Sequence, residues 1–342
     1  MTTTITSDRP DTPSGTRMRA MVQHAYGSAD VLTPATVERP TIADDQVLVE
    51  VVAAGLGREV WHLVTGLPHL IRVMGFGLTR PRNPVPGADV AGRVVAVGPR
   101  VTRFGVGDEV FGIAEGSFAE LAVAEESKLA HKPPSVTFEQ AAVSAVSGIT
   151  ALQALTTVGE VGPGDRVLVI GASGGVGSFT VQLARALGAT VTGVAQTSKL
   201  EAVRELGADE VIDHTTTAID AGGPRFDLII DIGGRNPLSR LRRALSPTGT
   251  LVIVGGEGGG RLAGGIGRQL LAAGLSPFTD QRLTFFISDE SHRSMEELAG
   301  YLADGRVVPS IGRRFDLEEV PDALRALEAG EITGKAVISV AA

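Results

Sequence analysis

The residues with the clearest chemical meaning lie in one glycine-rich run, Ala172-Ser173-Gly174-Gly175-Val176-Gly177. Ahead of it, Arg166 to Ile170 is short and aliphatic on both faces, the pattern of a buried parallel strand. Behind it, Val176, Phe179, Val181, Leu183, Ala184 and Leu187 recur at helical spacing until Gly188 stops the helix. A strand, a glycine turn and a helix make a cradle for phosphate. The first N–H groups of the helix have no partner inside it, and the helix dipole adds partial positive charge there. Aligned on the fingerprint G-x-G-x-x-G, the run has alanine at the first glycine position. The flanking strand and helix therefore carry the expectation of a bound dinucleotide, with a purely structural turn as the alternative.

The kind of dinucleotide is read further on. Units that prefer NAD end their second strand with an acid that accepts from the adenosine ribose. Here that strand, Thr190 to Ala195, runs into Gln196-Thr197-Ser198-Lys199 with no carboxylate. Hydroxyls and an ammonium suit a 2′-phosphate, so NADP(H) is expected. Thr197 to Lys199 can equally cap the helix that follows. Gly233 and Gly255 come after later strands, at the carboxyl edge where open α/β sheets bind ligands.

The surrounding elements sort into two kinds. From Met18 to Ala124, short β-forming stretches (Met18–Gln23, Gln46–Ala53, Asp89–Val97, Glu109–Ile113, Ser117–Ala124) alternate with Pro/Gly/Asp turns, as in a mostly antiparallel, barrel-like domain. From Val136 to Leu155 a helix is expected, interrupted at Gly148. Beyond it, strands and helices alternate through residue 254 as in a doubly wound parallel sheet, with Gln281–Ser288 as a last edge strand. The segment Leu63–Leu78 is apolar but broken by Pro68 and glycines; it reads as a short core helix, a lid over a pocket, or a membrane-surface anchor. Residues 1–17 read as a disordered tail with no signal sequence.

Composition sets outer limits. The 342 residues suffice for two domains. A net charge of −8 with no basic block argues against nucleic acid. The absence of cysteine excludes thiolate chemistry and cysteine-held zinc, and fits a reducing cytoplasm. No apolar run is long enough to span a bilayer, and no membrane partner is expected.

Several short runs, in order, resemble the medium-chain dehydrogenase/reductase superfamily, in its zinc-independent quinone oxidoreductase-like branch. They include Gln23-His-Ala-Tyr-Gly27, Pro86-Gly-Ala-Asp-Val-Ala-Gly92, Gly107-Asp-Glu-Val-Phe-Gly112, Gly148-Ile-Thr-Ala151, Gly174-Gly-Val-Gly177 and Gly334-Lys-Ala-Val337. The resemblance implies a GroES-like catalytic domain from both chain ends (18–138 and 289–342), a central Rossmann domain (139–288), an active site between them, and a homodimer. Zinc ligands of metal-dependent relatives would fall on Gly57, Ala88 and about Val146, none of which binds metal; Glu59 and His62 alone do not make a site. Thr150 would lie beside the nicotinamide. His62 and Tyr26 are the candidate proton donors to substrate, and Gly57, Trp61 and His62 the candidate pocket. The implied reaction is hydride transfer from NADPH to a quinone or an α,β-unsaturated carbonyl. An NADPH-binding redox sensor and an alcohol or carbonyl reductase are the alternatives.

Overall fold

Aliphatic stretches too short for helices and bounded by glycine and proline become strands in two large sheets and one antiparallel two-stranded sheet, 17–22 with 33–38. The computed structural model describes residues 16–223, 225–256 and 260–341. Most of the expected tail lies outside the described residues, and Arg17 already opens the first strand.

The amino-terminal part holds β1 (Arg17–Val22), β2 (Thr33–Glu38), β3 (Gln46–Leu56), α1 (Arg58–Thr65), β4 (Asp89–Val97), β5 (Glu109–Ile113), β6 (Leu121–Glu125) and β7 (Leu129–His131). α2 (Phe138–Ala142) and α3 (Ala145–Gln153) follow. The central part alternates β8 (Arg166–Ile170), α4 (Gly175–Ala186), β9 (Thr190–Ala195), α5 (Leu200–Glu205), β10 (Glu210–Asp213), β11 (Phe226–Asp231), α6 (Leu238–Ala244), β12 (Leu245–Ile253), α7 (Ile266–Leu275) and β13 (Arg282–Phe285). The chain then returns through α8 (His292–Ala303), β14 (Ile311–Asp316), α9 (Val320–Glu328) and β15 (Lys335–Ser339).

The central strands form a six-stranded parallel sheet in the order β10-β9-β8-β11-β12-β13. This is the expected doubly wound half. The other sheet runs β14-β15-β3-β4-β5-β7, with β6 also paired to β3; only β14–β15 is parallel. It is the mostly antiparallel GroES-like half, left as an open ladder rather than a closed ring. β15, from the far end of the chain, pairs with β3 (Ala336 opposite Leu56), so both chain ends build one sheet. One apolar core runs through α2, α3 and α8 and touches both sheets; a second fills the antiparallel half.

Two local expectations are corrected. The helix expected to break at Gly148 breaks at Val143–Ser144 instead. Gly148 sits inside α3, where a Cβ would press to 2.6 Å from Leu298 Cδ2, so glycine there admits α8 rather than ending a helix. Nor is Leu63–Leu78 a core helix. α1 ends at Gly66, whose φ of +62° only glycine adopts freely. Beyond it, the wide helical turn Arg72–Phe76 buries none of its residues.

Candidate functional site

The glycine turn leaves β8 through Gly171, whose φ is +88°. The left-handed residue is thus Gly171, one place before the run that aligns with the fingerprint. Ala172 is tolerated at the next position because its buried methyl faces Gly193 of β9; a Cβ there would stand 3.2 Å from it. Gly177 needs to be glycine for packing: its Cβ would lie 2.1 Å from the Gly171 carbonyl oxygen. Gly174, the N-cap of α4, has no such neighbour, only that oxygen at 3.5 Å, and supplies no side chain to the helix end. The first N–H groups of α4 therefore lie beside open space, the geometry that admits a phosphate. Gly233 packs on Gly171, and a Cβ on Gly255 would reach 1.9 Å from the Ile232 carbonyl oxygen, so both expected glycines do line the carboxyl edge beside the turn. Asp231 below them is buried. It receives the Gly234 N–H and pairs with Arg268, and burial pushes its carboxyl up against the pull of that arginine.

At the end of β9, Thr197, Ser198 and Lys199 form a short turn, but their polar atoms engage the protein. Thr197 donates to Asp213 Oδ2 at 2.5 Å, and Ser198 accepts from Gln196 Nε2 at 3.2 Å. Lys199 donates to the carbonyls of Gly330 and Ile332 at 2.8 and 2.7 Å, and burial lowers its ammonium's affinity for the proton. No side chain of the three caps α5, contrary to the capping expectation. Thr150 donates to the Val146 carbonyl within α3 at 2.7 Å.

The turn is stitched to the antiparallel half. Gly334 N donates to Ser173 O at 2.8 Å, and the next residue, Lys335, is fully buried against Gly175. Lys335 Nζ donates to Asp89 Oδ2 and Glu59 Oε1, both at 2.8 Å, while Asp89 Oδ1 accepts the Val146 N–H. Burial alone would favour the neutral amine, but the two carboxylates more than offset it and Lys335 stays charged. Burial also raises Asp89 to about 6, Lys335 opposing. A Cβ at Gly57 would stand 2.4 Å from Glu59 Oε2 and 2.6 Å from Lys335 Nζ. Gly57 is glycine because this charged cluster occupies the space beside it.

The substrate-side candidates on α1 divide. His62 Nδ1 lies 2.5 Å from the Leu67 carbonyl; a carbonyl only accepts, so Nδ1 carries the proton. Trp61 packs edge-on to His62, but its indole N–H goes to Glu328 Oε1 on α9 at 2.6 Å, not to a pocket. The Tyr26 hydroxyl donates to the carbonyls of Phe76 and Gly77 at 2.8 and 2.7 Å, and Arg72 lies over its ring. Burial holds that phenol above its usual range. Tyr26 anchors the 66–78 segment, and its proton is spent there.

Two family models match this chain: an alcohol dehydrogenase GroES-like domain over residues 43–134 and a zinc-binding dehydrogenase over 206–338. It is 33% identical to a 2-methylene-furan-3-one reductase of Solanum lycopersicum, over 94% of this chain and 79% of that one. It is 34% identical to an NADPH-dependent alkenal/one oxidoreductase of Arabidopsis thaliana, over the same shares of the two chains. The solved quinone oxidoreductase from Coxiella burnetii superposes with a TM-score of 0.83 at 28% identity, covering 95% of this chain and all of that one. The chain belongs to the medium-chain dehydrogenase/reductase superfamily, in its quinone oxidoreductase-like branch.

In this dehydrogenase/reductase the three positions assigned to a catalytic metal, Gly57, Ala88 and Val146, surround the Lys335–Asp89–Glu59 cluster. Gly57 abuts Lys335, Ala88 precedes Asp89, and Val146 bonds to it. Among the described residues no three His, Asp or Glu side chains group to hold a metal. The cluster itself was not foreseen. Its available signal was a charged residue opening each of two mostly apolar strands, Asp89 of β4 and Lys335 of β15.

Proposed function

We propose that the protein transfers a hydride from NADPH to a quinone or an α,β-unsaturated carbonyl, without a catalytic metal. The observation that carries this reading is the phosphate turn, open at Gly174 and bonded through Ser173 to the strand start that holds Lys335 beside Gly57 and α1. The residues present fit a dinucleotide: a glycine-lined helix start, Gly233 and Gly255 at the sheet edge, and a β9 end without an acid of its own. When bound, the nicotinamide supplies the hydride. The protein must then orient the acceptor and meet the charge that develops on its oxygen. Acceptors whose charge delocalises, as in an enolate or a quinol, need least Lewis-acid help, and positions 57, 88 and 146 offer no donor atom for a metal. Since the Nδ1–H of His62 is held by Leu67 O, His62 would give substrate a proton from Nε2 of its doubly protonated ring, leaving the Nδ1–H tautomer.

NADPH preference is assigned to Lys199 with Thr197 and Ser198. Binding a 2′-phosphate would require Thr197 to turn its hydroxyl from Asp213. We move the domain division from the expected 138/139 to the junction of α2 and α3, because α2 packs on β3 and β4 and α3 on α4. We assign the active form as a homodimer through the exposed edge of β13, beside exposed Leu270, Leu271, Phe278 and Ile287. A cytoplasmic setting suits a chain with no cysteine, and no helix of the described residues is long and apolar enough to cross a membrane.

Fluorescence titration with NADPH and NADH, followed by turnover on a panel of quinones and enones, tests the reading. NADPH binding tighter than NADH binding, with turnover of at least one member, is expected. Binding with no turnover would make the protein a sensor. His62→Phe should lower kcat with cofactor affinity kept; unchanged turnover removes His62 as the acid.

A further inference from the structure

The lip formed by residues 66–82 holds none of the residues assigned above to the cofactor. Val73, Met74 and Leu78 are 69, 63 and 68% exposed, and Leu70 and Phe76 are exposed as well. The strip is nevertheless firmly held from behind. Tyr26 bonds to the Phe76 and Gly77 carbonyls, and Arg72, stacked on the Tyr26 ring, donates to the Gly66 carbonyl at 2.8 Å. The N–H groups of His69 and Leu70 donate to the carbonyls of Arg261 and Leu262 at 2.8 and 3.1 Å. Leu262, 75% exposed, thereby joins the same face. Contiguous apolar side chains held outward by a braced backbone mark a surface that something covers.

Charge decides what covers it. Between Glu59 and Asp89 the sequence has no acidic residue, but it has Arg72, Arg80 and Arg82, in a chain whose net charge is −8. Arg80, Arg82 and Arg261 are exposed. A second copy docked here by a twofold axis would set this acid-free strip against itself, arginines included. An anionic bilayer satisfies both features. Apolar side chains enter the boundary of the acyl chains, and guanidinium groups meet the lipid phosphates.

We infer that the 70–82 lip docks the protein on an anionic lipid bilayer. The docked face includes the seam where His69 and Leu70 meet Arg261 and Leu262, so this junction of the two halves lies at the membrane surface. Apolar acceptors dissolved in the bilayer then reach it without crossing water. Binding to lipid is measured without turnover, so its outcome is independent of the reaction assigned above.

The test is co-sedimentation of the full chain with vesicles of phosphatidylcholine alone and of phosphatidylcholine mixed with phosphatidylglycerol. Binding to the mixed vesicles, weak binding to the neutral ones, and loss of binding at high salt are expected. Met74→Asp with Leu78→Asp, and separately Arg80→Glu with Arg82→Glu, should each weaken the partition about tenfold or more, with the melting temperature kept. Equal binding to both vesicle types, or binding that neither pair of changes weakens, overturns the inference. So does a fall in molar mass by light scattering for Met74→Asp/Leu78→Asp, which would make the strip a contact between copies.

Discussion

A methyl group added at Gly177 would lie 2.1 Å from the Gly171 carbonyl oxygen and 2.8 Å from Ala172 Cα, both backbone atoms that cannot swing aside. The same addition at Gly174 meets nothing nearer than 3.5 Å, and the φ of −88° there suits any residue. The two glycines should therefore fail differently. Gly177→Ala should push α4 off β8, costing about 1–3 kcal/mol of stability and lowering the melting temperature. Gly174→Ala should change stability by no more than about 0.5 kcal/mol yet fill the space above the helix start. Its NADPH dissociation constant should rise about tenfold, or ~1.4 kcal/mol. Melting curves and fluorescence titration on the pair separate these outcomes, and wild-type NADPH affinity in Gly174→Ala would move the phosphate elsewhere. The location of this turn was legible because strand, glycines and helix are contiguous. What sequence could not show was that Gly171 takes the left-handed turn and that Gly193, on the neighbouring strand, makes room for Ala172. Those facts are set by packing between strands.

At the scale of elements, α1, β4 and β15 meet at one buried ammonium. Glu59 and Asp89 lie 276 and 246 residues from Lys335, so no local pattern reports the cluster. The parallel strands, by contrast, each announce themselves by an apolar run and a turn. α7 was missed because its apolar residues lie largely exposed, with only Ala272 buried, which blurs the face that a packed helix shows. Lys335→Met would leave Asp89 buried without its counter-charge. Asp89, already raised to about 6, would rise further. A carboxyl whose folded value lies above its unfolded one favours folding at low pH, and that contribution is lost as pH rises through the folded value. The variant should thus be nearest to wild type at about pH 5 and lose most at about pH 8, on the order of 3–5 kcal/mol. Adding Asp89→Asn should recover part of the loss at the higher pH, since the Val146 N–H keeps an oxygen to bond. Urea unfolding at the two pH values checks this. A loss independent of pH would mean that the lysine's stem, not its charge, matters.

Across the whole molecule, many polar ties join the two halves, and one of them passes through the residue assigned to cofactor choice. Lys199 stands in the parallel half, at the end of β9, and donates to Gly330 and Ile332 on the way into β15. Sequence pattern offered the lysine as a selector; that it also straps the halves together depends on the returning chain end, which no local reading places. An ammonium has three N–H donors, so two carbonyls leave one for a phosphate. The two roles have different signatures. A strap alone predicts that Lys199→Ala lowers the melting temperature and weakens NADPH and NADH equally, because neither contact involves the 2′-phosphate. A strap that also binds the phosphate loses in addition a charge-assisted bond worth about 1.5–3 kcal/mol, so the preference for NADPH should fall roughly tenfold or more. Ligand-induced stabilisation follows the ratio of ligand to its dissociation constant. Melting wild type and variant with each nucleotide at one fixed concentration therefore reads both roles in a single series. We expect the apo variant to melt earlier, and the extra stabilisation by NADPH over NADH to disappear. An apo shift with that difference intact would leave Lys199 as a strap and return cofactor choice to Thr197 and Ser198.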